Sequence, residues 1–133
     1  MTGTRRDTSG ARTPEELETL FEDALVLRDH QAVAELFEDG AVLSAGNERP
    51  GRGGKEIARL ALATWEGDRT YVADPRRVMQ VRDLALIVVE QGINVARRDR
   101  DGGWRYVIVL RSVEDGERKR QSAWRGNQRK RRT

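Results

Sequence analysis

Residues 28–44, RDHQAVAELFEDGAVLS, decide how the chain is read. Asp29 stands where a helix N-cap belongs, with a side-chain oxygen able to accept from the amides of the first turn. Val33, Leu36 and Phe37 follow at helical spacing and give a short helix one inward face. Gly40 is expected to stop that helix in the left-handed conformation. Residues 41–44 read as a short strand and residues 45–47 as a turn. The stretch is therefore a helix delivered directly into a strand.

Upstream, Thr13-Pro14-Glu15-Glu16 is a capping box with proline at the first helical position. Leu17, Leu20, Phe21, Ala24 and Leu25 form one apolar stripe, so a first helix runs to about Arg28. Residues 1–12 are polar, offer almost nothing to bury and are expected to be disordered. Downstream, residues 49–54 hold Pro50 and three glycines and read as a loop. A third helix, residues 55–65, has the stripe Ile57, Leu60, Ala61 and Trp65, and Gly67 ends it.

The second half is β. Residues 71–73 read as extended before Pro75, residues 78–81 as a strand, and Asp83 as a turn. Residues 84–89 are apolar at every position, the pattern of a strand buried on both faces. Glu90-Gln91-Gly92 has two readings: a tight hairpin, which is preferred, or a bulge in one long bent strand. Residues 97–103 are a polar loop, and residues 104–113 are the last strand. Helices gathered ahead of an antiparallel sheet predict an α+β fold with the helices on one face. A curved sheet closed on one side by helices forms a cone whose wide end can hold a small ligand.

Composition limits the chemistry. The chain has 133 residues and no cysteine. Disulfides, thiolate metal sites and cysteine nucleophiles are thereby excluded. No apolar run approaches a membrane span, and residues 1–12 carry no apolar signal segment, so a cytoplasmic location is expected. The net charge of +3 hides a division: residues 117–133 carry +7, residues 1–12 carry +2 and residues 13–116 carry −6. The expected organisation is a disordered segment 1–12, an acidic domain 13–116 and a basic disordered tail 117–133. The tail has the composition for weak, non-specific polyanion contact around Trp124.

Three stretches resemble the nuclear transport factor 2-like superfamily, which includes ketosteroid isomerases and SnoaL-like polyketide cyclases. Residues 28–43 look like that group's second helix running into its first strand. Residues 51–57, GRGGKEI, look like the start of its third helix. Residues 101–108, DGGWRYVI, look like its final strand. The resemblance spans residues 13–110 and implies the cone-shaped fold, a pocket for a small apolar molecule and a homodimer through the outer face of the sheet. It also implies proton-transfer or cyclase chemistry wherever catalysis occurs. The catalytic aspartate of the isomerases would fall near Ser44, which is no carboxylate base, and Val109-Leu110 stands where many relatives carry Asp or His. Isomerase chemistry therefore does not transfer with the fold.

The pocket candidates are Ser44, Trp65, Tyr106 and Glu90. Ser44 holds the matched position, although a strand serine without an activating partner is otherwise unremarkable. Trp65 and Tyr106 each combine a large apolar body with one polar atom. Glu90 is an acid or base if buried, and a turn residue if the hairpin reading holds. Trp104, after Gly102-Gly103, reads as core packing. His30 is the single histidine and sits at a helix end, so no histidine-based metal site is expected, and no motif calls for a cofactor. The glycines at 51, 53 and 54 lack the Lys-Ser/Thr pair of a phosphate loop. The leading expectation is a small-molecule-binding pocket domain. The alternative is a non-catalytic dimerisation or protein-interaction module.

Overall fold

A computed structural model describes residues 10–45, 49–67 and 69–111. The tail 117–133, most of segment 1–12, the turn residues Gly46 and Asn47, and the strand end beyond Arg111 lie outside the described residues. Helix α1 (Pro14–Val26) starts as its sequence dictates: Thr13 Oγ1 accepts from the Glu16 amide at 3.0 Å, and Glu16 reaches back to the Arg12 amide at 2.7 Å. Helix α2 (His30–Glu35) is capped by Asp29, whose carboxylate accepts from the Ala32 amide at 3.1 Å. Strand β1 (Phe37–Ala45) follows at once. A two-residue strand β2 (Gly51–Arg52), helix α3 (Gly54–Thr64) and the meander β3 (Arg77–Val81), β4 (Leu84–Val89), β5 (Gly92–Arg98) and β6 (Trp104–Arg111) complete the fold.

The sheet has the order β2-β1-β6-β5-β4-β3, with every pair antiparallel except β1 and β6, which run parallel. The α+β class is as expected, but the sheet is mixed rather than wholly antiparallel. Local sequence sets hairpin direction; it says nothing about the relative direction of strands as far apart as β1 and β6.

Four further differences have clear causes. Gly40, with φ +79°, does not stop a helix: α2 has already ended at Glu35, and Gly40 sits where the β1–β6 register shifts between Phe37 and Val42. It is a bulge glycine, and its left-handed backbone lets the strand bend. The loop of residues 49–54 contains β2, which pairs Gly51 and Arg52 with Leu43 and Val42. Strand β4 is buried on one face only: Ala85 and Ile87 point inward, while Leu84 is 46% exposed. Order also begins before Thr13, because Ala11 is fully buried and bridges Trp104.

The hairpin reading of residues 90–92 is the observed one, with Val89 opposite Gly92 and Glu90-Gln91 as the turn. Gly92 is required there. A β-carbon would lie 1.8 Å from the Leu110 carbonyl oxygen in β6, inside van der Waals contact. Trp104 is buried as expected, with the Arg98 guanidinium 5.3 Å from its ring. The helices cover one face of the sheet. The inward positions Ala41, Leu43, Ala45, Ile87, Ala96, Tyr106 and Val109 meet Leu17, Phe21 and Ile57 from the helices.

Candidate functional site

Helix α1 buries Pro14, Leu17, Phe21, Ala24 and Leu25, and within the same stripe it buries Glu18 completely. Glu18 lies one position beyond Leu17 and three before Phe21, so helical geometry aims it at the sheet. Asn94 on β5 faces it; Asn94 and Glu18 are the buried polar or charged residues among those described. Tyr106 on β6 is fully buried beside Phe37. Tyr71 comes from the irregular segment between α3 and β3 and is also buried.

These four side chains form one network. The Tyr71 hydroxyl donates to Glu18 Oε1 at 2.5 Å. The Tyr106 hydroxyl and the Asn94 amide donate to Oε2 at 2.6 and 2.7 Å. Asn94 Nδ2 also reaches the Tyr71 oxygen at 3.2 Å. The two O–H···O contacts lie in the range of hydrogen bonds to an ionised acceptor. Burial pushes the ionisation of both phenols well above its ordinary value, and the adjacent Glu18 carboxylate pushes it further in the same direction. The tyrosines are thus firm proton donors to Glu18.

Rings pack around it. Phe21 is the hub, with centroids 4.8 Å from Tyr71, 5.3 Å from Tyr106, and 5.7 Å from both Phe37 and Trp65. Trp65 lies edge-on to Tyr71 at 5.1 Å. Its indole N–H is buried without a hydrogen-bond partner among the described residues. An orphaned buried donor of this kind is uncommon in cores and stands ready for an acceptor. On the surface above Tyr71 there is a shallow depression of about 50 Å³, bordered by Thr70, Val72, Val89, Glu90 and Gln91.

The sequence candidates separate on this frame. Trp65 and Tyr106 are brought together in the interior. Glu90 lies in the β4–β5 turn at the rim of the depression, exposed, with Arg76 3.6 Å away. Ser44 is placed elsewhere: it alternates with the buried Leu43 and Ala45 and pairs with Leu110, so it is on the face turned away from the helices. A carboxylate introduced there would not reach the network. His30 is exposed at the start of α2. Among the described residues no group of three or more His, Asp or Glu side chains could hold a metal ion.

Glu18, Tyr71 and Asn94 are residues the sequence reading missed. The signal for Glu18 was available, because a carboxylate inside an apolar helical stripe must be paired or functional. Asn94 had no such signal. It points inward while its apolar neighbours Ile93 and Val95 face the other way. Tyr71 lies in a segment with no periodicity at all.

The outer face of the sheet carries a second feature. Met79, Val81, Leu84, Ile93 and Leu110 are all exposed there, Val81 to 70%. In the register Val81 opposes Leu84, Met79 opposes Leu86, and Ile93 opposes Leu110, so they form one apolar surface. No helix among the described residues is long and apolar enough to cross a membrane.

No protein-family model matches the sequence, and neither does any curated protein sequence. Solved structures do match the fold. An association domain of the calcium/calmodulin-dependent protein kinase type II kind from Thiobacillus denitrificans superposes with a TM-score of 0.62 at 17% identity, covering 80% of this chain and 98% of that one. A protein assigned as a dehydratase of the nuclear transport factor 2-like family from Streptomyces avermitilis gives 0.56 at 21% identity, covering 74% and 91%. A ketosteroid isomerase-like protein from Erwinia carotovora gives 0.55 at 18%, again covering 74% and 91%. With helices packed on a six-stranded mixed sheet and these structures superposing over most of their length, the chain has the nuclear transport factor 2-like fold of the ketosteroid isomerase-like proteins.

Proposed function

We propose that the chain is a cytoplasmic small-molecule-binding domain whose ligand is received at the Glu18 network, with Glu18 as hydrogen-bond acceptor and, where a reaction occurs, as the base. One observation carries this reading: a completely buried carboxylate is held by two tyrosines and an asparagine in the space between helix and sheet. For stability alone, a leucine in an aromatic cluster would serve better, since burying a carboxylate costs several kcal/mol before its hydrogen bonds compensate. A polar group retained at that cost is a mark of binding or proton transfer. Tyr71 also lines the surface depression, which makes it the network member nearest to solvent, and the Trp65 N–H, without a partner among the described residues, supplies a donor for a ligand acceptor. Steroid isomerisation at Ser44 is not part of the proposal.

A fragment screen followed by amide chemical shifts tests it. Ligands should shift the amides of Glu18, Asn94 and Tyr106 together, and Glu18→Gln should weaken binding of those with a hydroxyl. Shifts confined to the surface in every case would refute it.

A second reading, dimerisation, rests on the exposed apolar outer face. Contiguous apolar surface of this kind marks an association site, and the neighbour from Thiobacillus denitrificans is itself named as an association domain. Sedimentation should give a dimer, and Val81→Lys with Leu84→Lys should give a folded monomer. A monomeric parent at high concentration refutes this second reading and leaves the first intact.

A further inference from the structure

Three members of the Glu18 network are fixed by regular structure: Glu18 by α1, Asn94 by β5 and Tyr106 by β6. Tyr71 alone is carried by a segment with neither helix nor strand, residues 69–75. Away from the Tyr71 side chain the segment has few anchors. Among the described residues they are the Arg69 amide on the Glu66 carbonyl at 3.1 Å, the Ala73 amide on Glu22 Oε1 at 3.2 Å, the Arg76 amide on the Val88 carbonyl at 2.7 Å, which fixes the far end, and exposed ion pairs from Arg76 to Asp74 and Glu90, each at 3.6 Å. Exposed pairs at that separation contribute little. Val72, next to Tyr71, is exposed and adds no anchor.

Withdrawing Tyr71 changes the site in a defined way. Glu18 Oε2 keeps both of its donors, while Oε1 loses the Tyr71 hydroxyl. The vacated volume is flat, bounded by Phe21 on one side and by Trp65 on another, whose indole N–H has no partner among the described residues. It borders the surface depression that Tyr71 helps to line. Such a space selects an aromatic ring, and the bare carboxylate oxygen at its end selects a hydroxyl donor on that ring.

We propose that Tyr71 is a built-in stand-in for the ligand: residues 69–74 swing outward, and a hydroxylated aromatic compound of the phenol class takes the place of the Tyr71 side chain against Glu18, Phe21 and Trp65. The inference rests on the reading of the Glu18 network as a binding site and adds to it the ligand class and the displaced residue. Only the open fraction binds, so the apparent affinity is reduced by that fraction. Any change that makes opening easier must tighten binding.

The test uses the full chain and 4-methylphenol, which is the tyrosine side chain as a free molecule, with toluene as the control lacking a hydroxyl. Calorimetric titration should show saturable binding of 4-methylphenol, with toluene weaker by about tenfold, the value of one hydrogen bond to a charged acceptor. Amide hydrogen exchange across residues 70–74 should accelerate at saturation. Tyr71→Ala should bind 4-methylphenol at least about tenfold more tightly than the parent, because nothing has to be displaced. Should that variant not fold, Tyr71→Phe, which keeps the ring and loses only the hydroxyl, should still tighten binding several-fold. Binding of 4-methylphenol that shifts Asn94 and Tyr106 but leaves exchange at residues 70–74 unchanged, or equal binding of toluene, overturns the inference while the binding-site reading stands. Failure of parent and both variants to bind any ring compound overturns both.

Discussion

The chain contains two tyrosines, Tyr71 and Tyr106, and both donate to Glu18. Alkaline titration therefore reports on the candidate site with no background from other phenols. In the folded state the ionisation of both is pushed well above the ordinary value of 10.0, first by burial and then by the Glu18 carboxylate. In the unfolded chain both titrate near that ordinary value. The native state thus holds two protons that the unfolded state releases above pH 10. Stability is unaffected by these groups below that pH and falls as the pH rises beyond it. At one unit above, each tyrosine removes about 1.4 kcal/mol, so the pair removes about 2.8 kcal/mol. For a domain of this size that is a sizeable fraction of a total of about 5–15 kcal/mol. Urea denaturation at stepped pH, followed by fluorescence, measures the slope. Tyrosinate absorbance, read in parallel, should stay silent in the folded protein and appear only with unfolding. Tyr71→Phe and Tyr106→Phe should each halve the slope. A tyrosinate signal rising near pH 10 while the protein remains folded would falsify the placement of these rings.

Other substitutions probe the frame around the site. Glu18→Ala leaves three buried donors without their acceptor and should cost about 3–5 kcal/mol in urea denaturation; a loss below about 1 kcal/mol would mean that the network is open to water. Gly92→Ala places a methyl group against the Leu110 carbonyl and should destabilise by about 3 kcal/mol, visible as a lowered Tm, unless the β5–β6 pairing is wrong. Trp104→Ala should cost about 3–5 kcal/mol, and a variant melting within a degree of the parent would show that Trp104 is exposed. Deleting residues 117–133 should leave the Tm unchanged and abolish salt-dependent heparin binding, whereas deleting residues 1–12 should lower the Tm because Ala11 is lost from its bridge to Trp104.

What the sequence disclosed follows from how local each determinant is. Thr13 and Asp29 are helix caps in the text and in the structure, because a cap needs only its own first turn. Residues 84–89 were recognisable as a strand, but which face would be covered depends on helices far away in sequence. Gly40 misled for a related reason. A glycine a few residues past a helical pattern looks like a stop, yet the chain had already become a strand at Phe37 by pairing with Tyr106. Ser44 was matched by similarity alone, and the structure places it on the face turned away from the helices. The alternation of Leu43 and Ala45 around it already placed it on the opposite face. Glu18 was legible as a charge within an apolar stripe, and only the identity of its partners was hidden. Asn94 and Tyr71 reach the site through strand register and an irregular segment, neither of which has a period to read.

The parallel contact between β1 and β6 also governs how the molecule can be built. Leu36 accepts from the Tyr106 amide, and Arg105 reaches the Glu35 carbonyl 70 positions away. The helical first half therefore has no sheet to rest on until the last strand exists, whereas β3 to β6 join through short hairpins and can assemble among themselves. Closing a loop of that length is entropically slow relative to forming a hairpin. That topology favours nucleation in the meander, with α1 docking later and bringing Glu18 to Asn94 and Tyr106. On that order, a partly refolded chain presents the inner face of its sheet, polar Asn94 included, before α1 has docked its carboxylate there.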